Sequence, residues 1–328
     1  MEIRDETKKV SVIVVIYNGM SHIEDCVSSV LNQTYRNFEI ILVDNCSTDG
    51  SLDFILTRFP DLITVANNRN LGYGGGINKG LEYAAGDSIV PLNQDTEVDK
   101  NWLVHMIQFL NQNPAVGAVC PKSIIYNDRT KISALGADIH ISGFSYSRAK
   151  YQPDGADLHI PIRVNGVSGS AYMVRGEILA QMGGLEECFG GMDDVVLSWT
   201  LNLMGYEIYC VPDSILYHKH QLELSPDKLF YFERDRMEML MGSLKPLTLT
   251  LYAPFFILIE LLMMGYCLLK GRAYVSAKAK VWWSILKNIN RLREIRQRND
   301  KLRGISDFEL FRRLKLIPDW HQLSRAVK

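Results

Sequence analysis

Cysteine is scarce in this chain, and none of it is paired at metal-binding spacing. The 6 Cys stand at positions 26, 46, 120, 188, 210 and 267, with no Cys-x-x-Cys among them. Zinc and disulfide frameworks are therefore not expected, and a reducing compartment fits. An excess of one charge is also missing. Lys and Arg number 36 against 37 Asp and Glu, so no nucleic-acid partner is expected. Internal repeats and low-complexity tracts are absent. No signal peptide is expected before the first apolar run. The opening residues Glu2, Arg4, Asp5, Glu6, Lys8 and Lys9 are charged, and the N-terminal part is expected to stay in the cytosol. At 328 residues the chain exceeds what one compact core usually holds, so one large domain plus an extension is expected.

What is present begins with buried-strand patterns. Val10 to Tyr17 and Phe38 to Val43 are continuous, β-branched apolar runs, as parallel strands covered on both faces require. Leu62 to Ala66, Ile89 to Leu92 and Val116 to Cys120 continue the series, with helical periodicity between them. The alternation predicts an α/β fold with a parallel sheet and helices on both faces. Pro121 to Ile160 is polar and rich in Tyr, Gly and Ser, and is expected to form a hairpin excursion or loops over the site.

In such sheets ligands bind outside the carboxyl ends of the strands, and polar residues collect there. Tyr17-Asn18-Gly19 follows the first strand, and Asp44-Asn45-Cys46-Ser47 follows the second. Asp44 is suited to accept from a base N–H, and Ser47 to bond a phosphate; an ordinary capped loop would look the same. Asn70-Leu71-Gly72-Tyr73-Gly74-Gly75-Gly76 leads into a helix carrying Asn78. The glycines do not complete a dinucleotide fingerprint, because Ile77 stands where the third Gly belongs. They still suit a backbone approach to an anion. The fourth strand ends in Asn93-Gln94-Asp95, with Asn93 and Asp95 on one side of an extended chain. Hard cations take such oxygen ligands together with substrate phosphates. Gly166 and Gly169, the latter next to Ser170, interrupt a strand, as where a ligand approaches closely. Asp193-Asp194 opens an apolar helix behind two glycines, and His218 follows a late strand as a further ligand candidate.

These segments, in this order, resemble the inverting glycosyltransferases of family 2, with their GT-A fold, and look closest to the rhamnosyltransferase-like branch. The resemblance covers roughly residues 10 to 240. It implies that Asp44 reads the nucleobase imide, and that Tyr17, Asn18, Asn45, Ser47, Asn70, Gly72 and Asn78 line the nucleotide pocket. Asn93 and Asp95 would form the D-x-D-type motif, and Asp95 and His218 would hold Mg²⁺ or Mn²⁺. Asp194 would be the catalytic base. Gly169, Ser170 and Asp193 would contact donor and acceptor sugars. Asp193 replaces the family's usual Glu, and Val196 stands where a further Asp is common. The implied reaction moves a sugar from a nucleotide-diphosphate donor, deoxythymidine-diphosphate rhamnose first and a uridine-diphosphate hexose next, to a glycan or lipid-linked acceptor. A nucleotidyltransferase on a similar sheet would need a glycine- and lysine-rich phosphate loop, which Tyr17-Asn18-Gly19-Met20 does not supply. A degenerate membrane-bound scaffold would not need the set Asp44, Asp95, Asp194 and His218.

Residues 1–240 are expected to be the catalytic domain and 241–328 a helical, membrane-associated region. Leu247 to Leu269 is almost wholly apolar, with Pro254 and Glu260 inside it, long enough to span a bilayer. Basic residues follow it, and both they and a nucleotide-sugar enzyme belong on the cytoplasmic side. One crossing would separate them, whereas a re-entrant or in-plane segment would not. Val281, Trp282, Ile285, Ile289, Leu292 and Ile295 form a stripe suited to a membrane surface, or to packing on the catalytic core. An oligomer is left open.

Overall fold

The structure is a computed structural model and describes residues 9–155, 158–219 and 225–317. The charged residues before Lys9, which bear on the cytosolic expectation, lie outside the described residues. The chain runs from β1 (Val10–Ile16) through α1 (Ile23–Leu31) to β2 (Phe38–Asp44), and through α2 (Ser51–Arg58) to β3 (Ile63–Ala66). It then crosses by α3 (Gly72–Leu81) to β4 (Ser88–Asn93), and by β5 (Thr96–Val98) and α4 (Trp102–Gln112) to the long β6 (Val116–Ile125). The excursion expected over Pro121 to Ile160 starts inside β6 and holds the short strands β7 (Ile132–Ala134), β8 (Ala137–Ile139) and β9 (Ser145–Ser147), with β10 (Ile162–Val164) just after it. β11 (Met173–Arg175), α5 (Gly176–Met182), α6 (Asp193–Met204) and β12 (Glu207–His218) complete the sheet region.

The sheet order is β10-β12-β6-β11-β4-β1-β2-β3. β1 pairs in parallel with both β2 and β4. The chain therefore leaves β1 on one side, returns, and leaves on the other, which opens a crevice at the carboxyl ends of β1, β2 and β4. β11 is the departure from a strictly parallel pattern: it runs antiparallel to β4 and β6. The reason is connectivity. β6 delivers the chain to the carboxyl end, the excursion stays there, and the chain re-enters the sheet from that end.

Alternate residues of β1 feed two cores, Val12, Val14 and Ile16 against α1 and α4, and Ile13 and Val15 against α3. The glycines of α3 serve this packing. A Cβ on Gly76 would lie 2.7 Å from Val15 Cγ1, and one on Gly80 would lie 2.5 Å from Ile13 Cγ2. Gly76, the last of the run that suggested an anion cradle, thus lets the helix press against a strand, as does Gly80 beyond it.

The expected boundary at residue 240 falls inside a helix, α7 (Pro226–Ser243). α8 (Pro246–Lys270), α9 (Arg272–Lys287), α10 (Ile289–Leu302) and α11 (Asp307–Arg313) follow. They fold back on the sheet region: Arg313 Nη1 donates to the carbonyl of Tyr206 at 2.7 Å, and Lys315 N–H to that of Ile139 at 2.9 Å. The stripe expected to face a membrane is divided. Val281, Ile285 and Ile295 are buried inside, while Trp282 and Ile289 are exposed. Val281 and Ile285 pack on Met237 of α7, because α9 must cover that helix before it can cover anything else.

α8 is long and apolar enough to cross a membrane by length and composition, with a mean hydropathy of 2.0 over its most apolar stretch. Yet Glu260 within it is not stranded. Arg236 donates to Glu260 Oε1 at 2.6 Å and to Glu233 at 2.9 Å. Lys278 pairs with both carboxylates. This four-charge cluster is buried and ties α7, α8 and α9 together. Removing one partner of a buried network leaves an uncompensated charge. Glu260→Ala is expected to destabilise the fold by ~3–5 kcal/mol. Urea unfolding checks this; an unchanged midpoint would show that the cluster does not hold the helices.

Candidate active site

The crevice is built from loops that stop strands. Asp44, the last residue of β2, is buried; its Oδ2 accepts from Ser47 N–H at 3.1 Å. Its Oδ1 is buried and finds no hydrogen-bond partner among the described residues. A buried acceptor without a donor costs free energy, and a nucleobase N–H is a donor of the right kind. Tyr17 is exposed over the same region.

Most of the other residues expected to meet the nucleotide shape its walls. Asn45 Nδ2 donates to the carbonyl of Gly72 at 2.8 Å, and its Oδ1 accepts from Asn67 at 2.8 Å. Asn18 takes a left-handed backbone, φ 50°, donating its N–H to Ser47 Oγ at 3.0 Å and accepting from Thr48 N–H at 2.9 Å. Ser47 is thus tied to the facing loop. Asn70 Oδ1 accepts from Gly72 N–H at 2.8 Å and sets the first turn of α3. Asn78 is used on both sides of its amide: Oδ1 accepts from Leu185 N–H at 2.8 Å, and Nδ2 donates to the Leu185 carbonyl at 2.9 Å. It holds the loop that leads to Asp193.

Asn93 and Asp95 do not share an extended strand. β4 ends at Asn93, and Gln94-Asp95 form a turn into β5. The turn follows from pairing: β5 runs antiparallel to β12 with Thr96 opposite His218, and Lys219 N–H bonds the Asp95 carbonyl at 3.0 Å. That pairing sets His218 Nε2 3.5 Å from Asp95 Oδ1. His218 Nε2 is buried and has no aligned hydrogen-bond partner among the described residues. A carboxylate and an orphaned imidazole nitrogen facing each other fit a divalent cation whose other ligands are phosphate oxygens and water. Among the described residues, no group of three or more His, Cys, Asp and Glu side chains is gathered for a metal, so the substrate would have to complete the set.

The opposite wall carries Asp193 and Asp194 on the first turn of α6. Asp193 is buried, and its Oδ1 accepts from Gly74 N–H at 3.0 Å. The acceptor at the start of α3 is therefore a side chain of the protein itself. Asp194 is half-buried, and its Oδ1 accepts from Val195 N–H at 2.9 Å. Gly169 lies so close that a Cβ there would come within 2.7 Å of Asp194 Oδ2. Burial and the Asp194 charge push Asp193 up to about 8, and burial pushes Asp194 up to about 6. Val196 points away from this cleft into the core shared by α6 and α7.

Backbone contacts join the two walls. Asn93 N–H donates to the carbonyl of Ser170 at 3.0 Å, and Leu92 bridges Ala171. Ser170 adjoins Gly169, which touches Asp194. The phenol of Tyr73 is buried without a hydrogen-bond partner among the described residues. Its pKa is raised well above the usual value by burial and by the charges of Asp193, Asp194 and Asp95. Carboxylates from both walls thus act on one hydroxyl.

Tyr73 and Gln94 are the residues that sequence reasoning missed. Gln94 Oε1 accepts from Tyr17 N–H at 3.0 Å and its Nε2 donates to the Tyr17 carbonyl at 3.1 Å, locking the first loop to the fourth strand. Its position between Asn93 and Asp95 was the available signal. A cavity of about 500 Å³ is elsewhere: Arg148, Arg163, Glu207 and Arg313 are among its lining. It lies at the start of β12, roughly 35 Å of strand away from His218.

Residues 11–171 match the profile of Glycosyl transferase family 2. The poly-beta-1,6-N-acetyl-D-glucosamine synthase of Staphylococcus aureus (strain COL) is 27% identical over 210 residues, 63% of this chain and 49% of that protein. The Staphylococcus epidermidis protein of the same description is 24% identical over 212 residues, 64% of this chain and 50% of its own. The chain spans about half the length of these curated relatives. Among solved structures, GalNAc-T7 with UDP, GalNAc and Mn²⁺ aligns with a TM-score of 0.60 at 20% identity, covering 76% of this chain and 50% of that one. The mannosyltransferase PcManGT of Pyrobaculum calidifontis, in complex with GDP-Man and Mn²⁺, gives 0.52 at 18% identity over 86% and 76%. S. aureus TarS 1-349 in complex with UDP-GlcNAc gives 0.51 at 16% identity over 89% and 92%. At such identities the likeness of the solved structures speaks for the fold, which is GT-A, and the profile match over residues 11–171 makes about half of this chain similar to glycosyltransferase family 2.

Proposed function

We propose that the chain is an inverting, metal-dependent glycosyltransferase that moves a sugar from a nucleoside-diphosphate donor to a hydroxyl of a glycan or lipid-linked acceptor, at the cytoplasmic face of the membrane. The observation that carries this reading is the unpartnered Asp44 oxygen on one wall and the half-buried Asp194 on the other, joined through Asn93, Ser170 and Gly169. Thymine and uracil present the same imide N–H between two carbonyls, so Asp44 suits deoxythymidine-diphosphate rhamnose and uridine-diphosphate hexoses alike. Relatives that make poly-N-acetylglucosamine, and a fold neighbour holding UDP-GlcNAc, favour the second.

In this mechanism the acceptor O–H gives its proton to Asp194 as its oxygen attacks the anomeric carbon. The bond from that carbon to the phosphate oxygen breaks on the far side, so the sugar changes anomeric configuration and the nucleoside diphosphate departs. A base pushed up to about 6 is ionised at neutral pH and still basic enough to take the proton. Asp193, pushed up to about 8, carries its own proton there and acts as a hydrogen-bond donor, not as a rival base. Asp95 and His218 would hold Mg²⁺ or Mn²⁺, which when bound supplies charge neutralisation at the diphosphate. Gln94 and Asn18 fix the nucleotide loop, which keeps donor and acceptor in line.

Asp194→Asn should leave donor binding nearly unchanged and lower turnover by ~10²–10⁴-fold; wild-type turnover in this variant removes Asp194 from the role. Because the base must be ionised, kcat should fall about tenfold per pH unit below about 6 and level off above it, whereas a flat profile to pH 5 contradicts the assignment. A chelator should stop transfer, and Mg²⁺ or Mn²⁺ should restore it. Mn²⁺ with UDP should raise the melting temperature of the wild type, and His218→Ala should lose the Mn²⁺-dependent part of that shift. Undiminished transfer in chelator would rule out the metal site.

A further inference from the structure

We propose that α8 does not cross the bilayer but lies flat in the cytoplasmic leaflet, so that α8 and the outer face of α9 form one docking surface for anionic lipid. This deepens the membrane part of the preceding reading and does not depend on the chemistry assigned to the cleft. The helix has two faces. Leu249, Tyr252, Phe255 and Phe256 pack inward on the core of α6, α7 and α11. The rings of Tyr252 and Phe311 stand 4.6 Å apart, and Cys267 is fully buried beneath Leu229 and Ala277. Only Cys267 of the helix is fully buried, but one face rests on protein, and crossing would strip Glu260 from Arg236 and Lys278.

The other face is left bare. Leu247 is 72% exposed, Leu251 70%, Leu261 65% and Leu269 82%. With Leu258 and Leu262 they fall three, four or seven residues apart and make one stripe. Trp283, 69% exposed, with Trp282 and Leu286 adds to it on α9, and Ile289 at the start of α10. A contiguous apolar surface of this extent on a folded protein marks an interface. The flanking charges say which partner. Between Glu260 and Glu294 there is no acidic residue, while Lys270, Arg272, Lys280, Lys287 and Arg293 fall in that interval. Leucines bounded by tryptophans and cations match the headgroup boundary of an anionic leaflet. A second copy of this chain would bring like charges together. The inward face of α8 rests on the same apolar core that holds Val195 and Val196, the neighbours of Asp194 on α6.

Two measurements on the full chain test this, and neither reads turnover. In flotation, the protein should rise with vesicles of phosphatidylcholine and phosphatidylglycerol at 7:3, and at least tenfold less with phosphatidylcholine alone. The double variant Leu251→Asp/Leu258→Asp should stay at the bottom while keeping the wild-type circular dichroism and melting temperature. For sidedness, the variants Lys245→Cys and Arg272→Cys are treated with a membrane-impermeant maleimide in sealed, oriented vesicles. Both positions should react on the same side as the exposed native Cys46. Labelling of positions 245 and 272 from opposite sides overturns the flat placement. So does a wild type that never floats but forms dimers in sedimentation that the double variant abolishes, which would make the surface a contact between copies. Flotation with a dead Asp194→Asn-like profile in the wild type would fault the reaction and leave this placement standing.

Discussion

The hydrogen bond from Asn93 N–H to the Ser170 carbonyl, 3.0 Å long, ties the nucleotide half of the sheet to the half that carries the carboxylates. On one side of it stand β1, β2 and β4 with Asp44 and Asp95; on the other stand β11, α6 and Asp194. The proposed transfer needs a leaving group and a base on opposite faces of one sugar ring, and orientation of that kind accounts for a large part of a barrier. In that reading a single strand entering the sheet backwards would supply it. β11 runs antiparallel because the chain comes back from the carboxyl end, and on its way in it passes Gly169 and Ser170 across the end of β4. The same re-entry keeps Gly169 against Asp194, where any larger residue would collide with the carboxylate.

The chemical consequence is a pair of carboxyl groups held out of water at different depths. The deeper one, Asp193, is pushed further up than its neighbour, and it faces the start of α3 through Gly74. Two adjacent acids in one medium would compete for one proton. Unequal burial separates their roles, with one ionised and one neutral over the same pH range. That arrangement carries a cost: carboxyls whose pKa is raised in the folded state favour folding fully only below their unfolded pKa, and contribute less as pH rises toward 8. The cleft is therefore a place where stability is given up for reactivity, as the orphaned oxygen of Asp44 and the phenol of Tyr73 also indicate.

Much of this was legible in the residues. Apolar runs marked β1, β2, β4 and β6, because strands covered on both faces have no alternation to disguise them. Polar strand ends pointed to Asp44 and Asp95, and an acidic helix start behind two glycines pointed to Asp194. What could not be read was the use of each amide. Asn45, Asn70 and Asn78 are chemically fit to bind a nucleotide, and the same donors and acceptors serve equally well to hold Gly72 and Leu185. Nothing local distinguishes an asparagine that meets substrate from one that builds the wall. The direction of β11 was hidden for a similar reason: three residues carry no sign of their orientation, which is set by a path through some fifty residues of loops and short strands.

The C-terminal helices pose the converse problem, a sequence with too little contrast. α8 is apolar nearly all round, so burial of hydrophobic area alone gives it no preferred face and no preferred rotation against α7. Glu260 breaks that degeneracy. Its carboxylate can leave water only where Arg236 and Lys278 meet it, and that happens in one rotation. A buried ion pair is a weak source of stability compared with apolar packing of the same volume, and is better suited to fixing register. Here it selects which leucines turn outward. The one acidic residue in an otherwise apolar helix is thus the one that decides which of its faces is left bare.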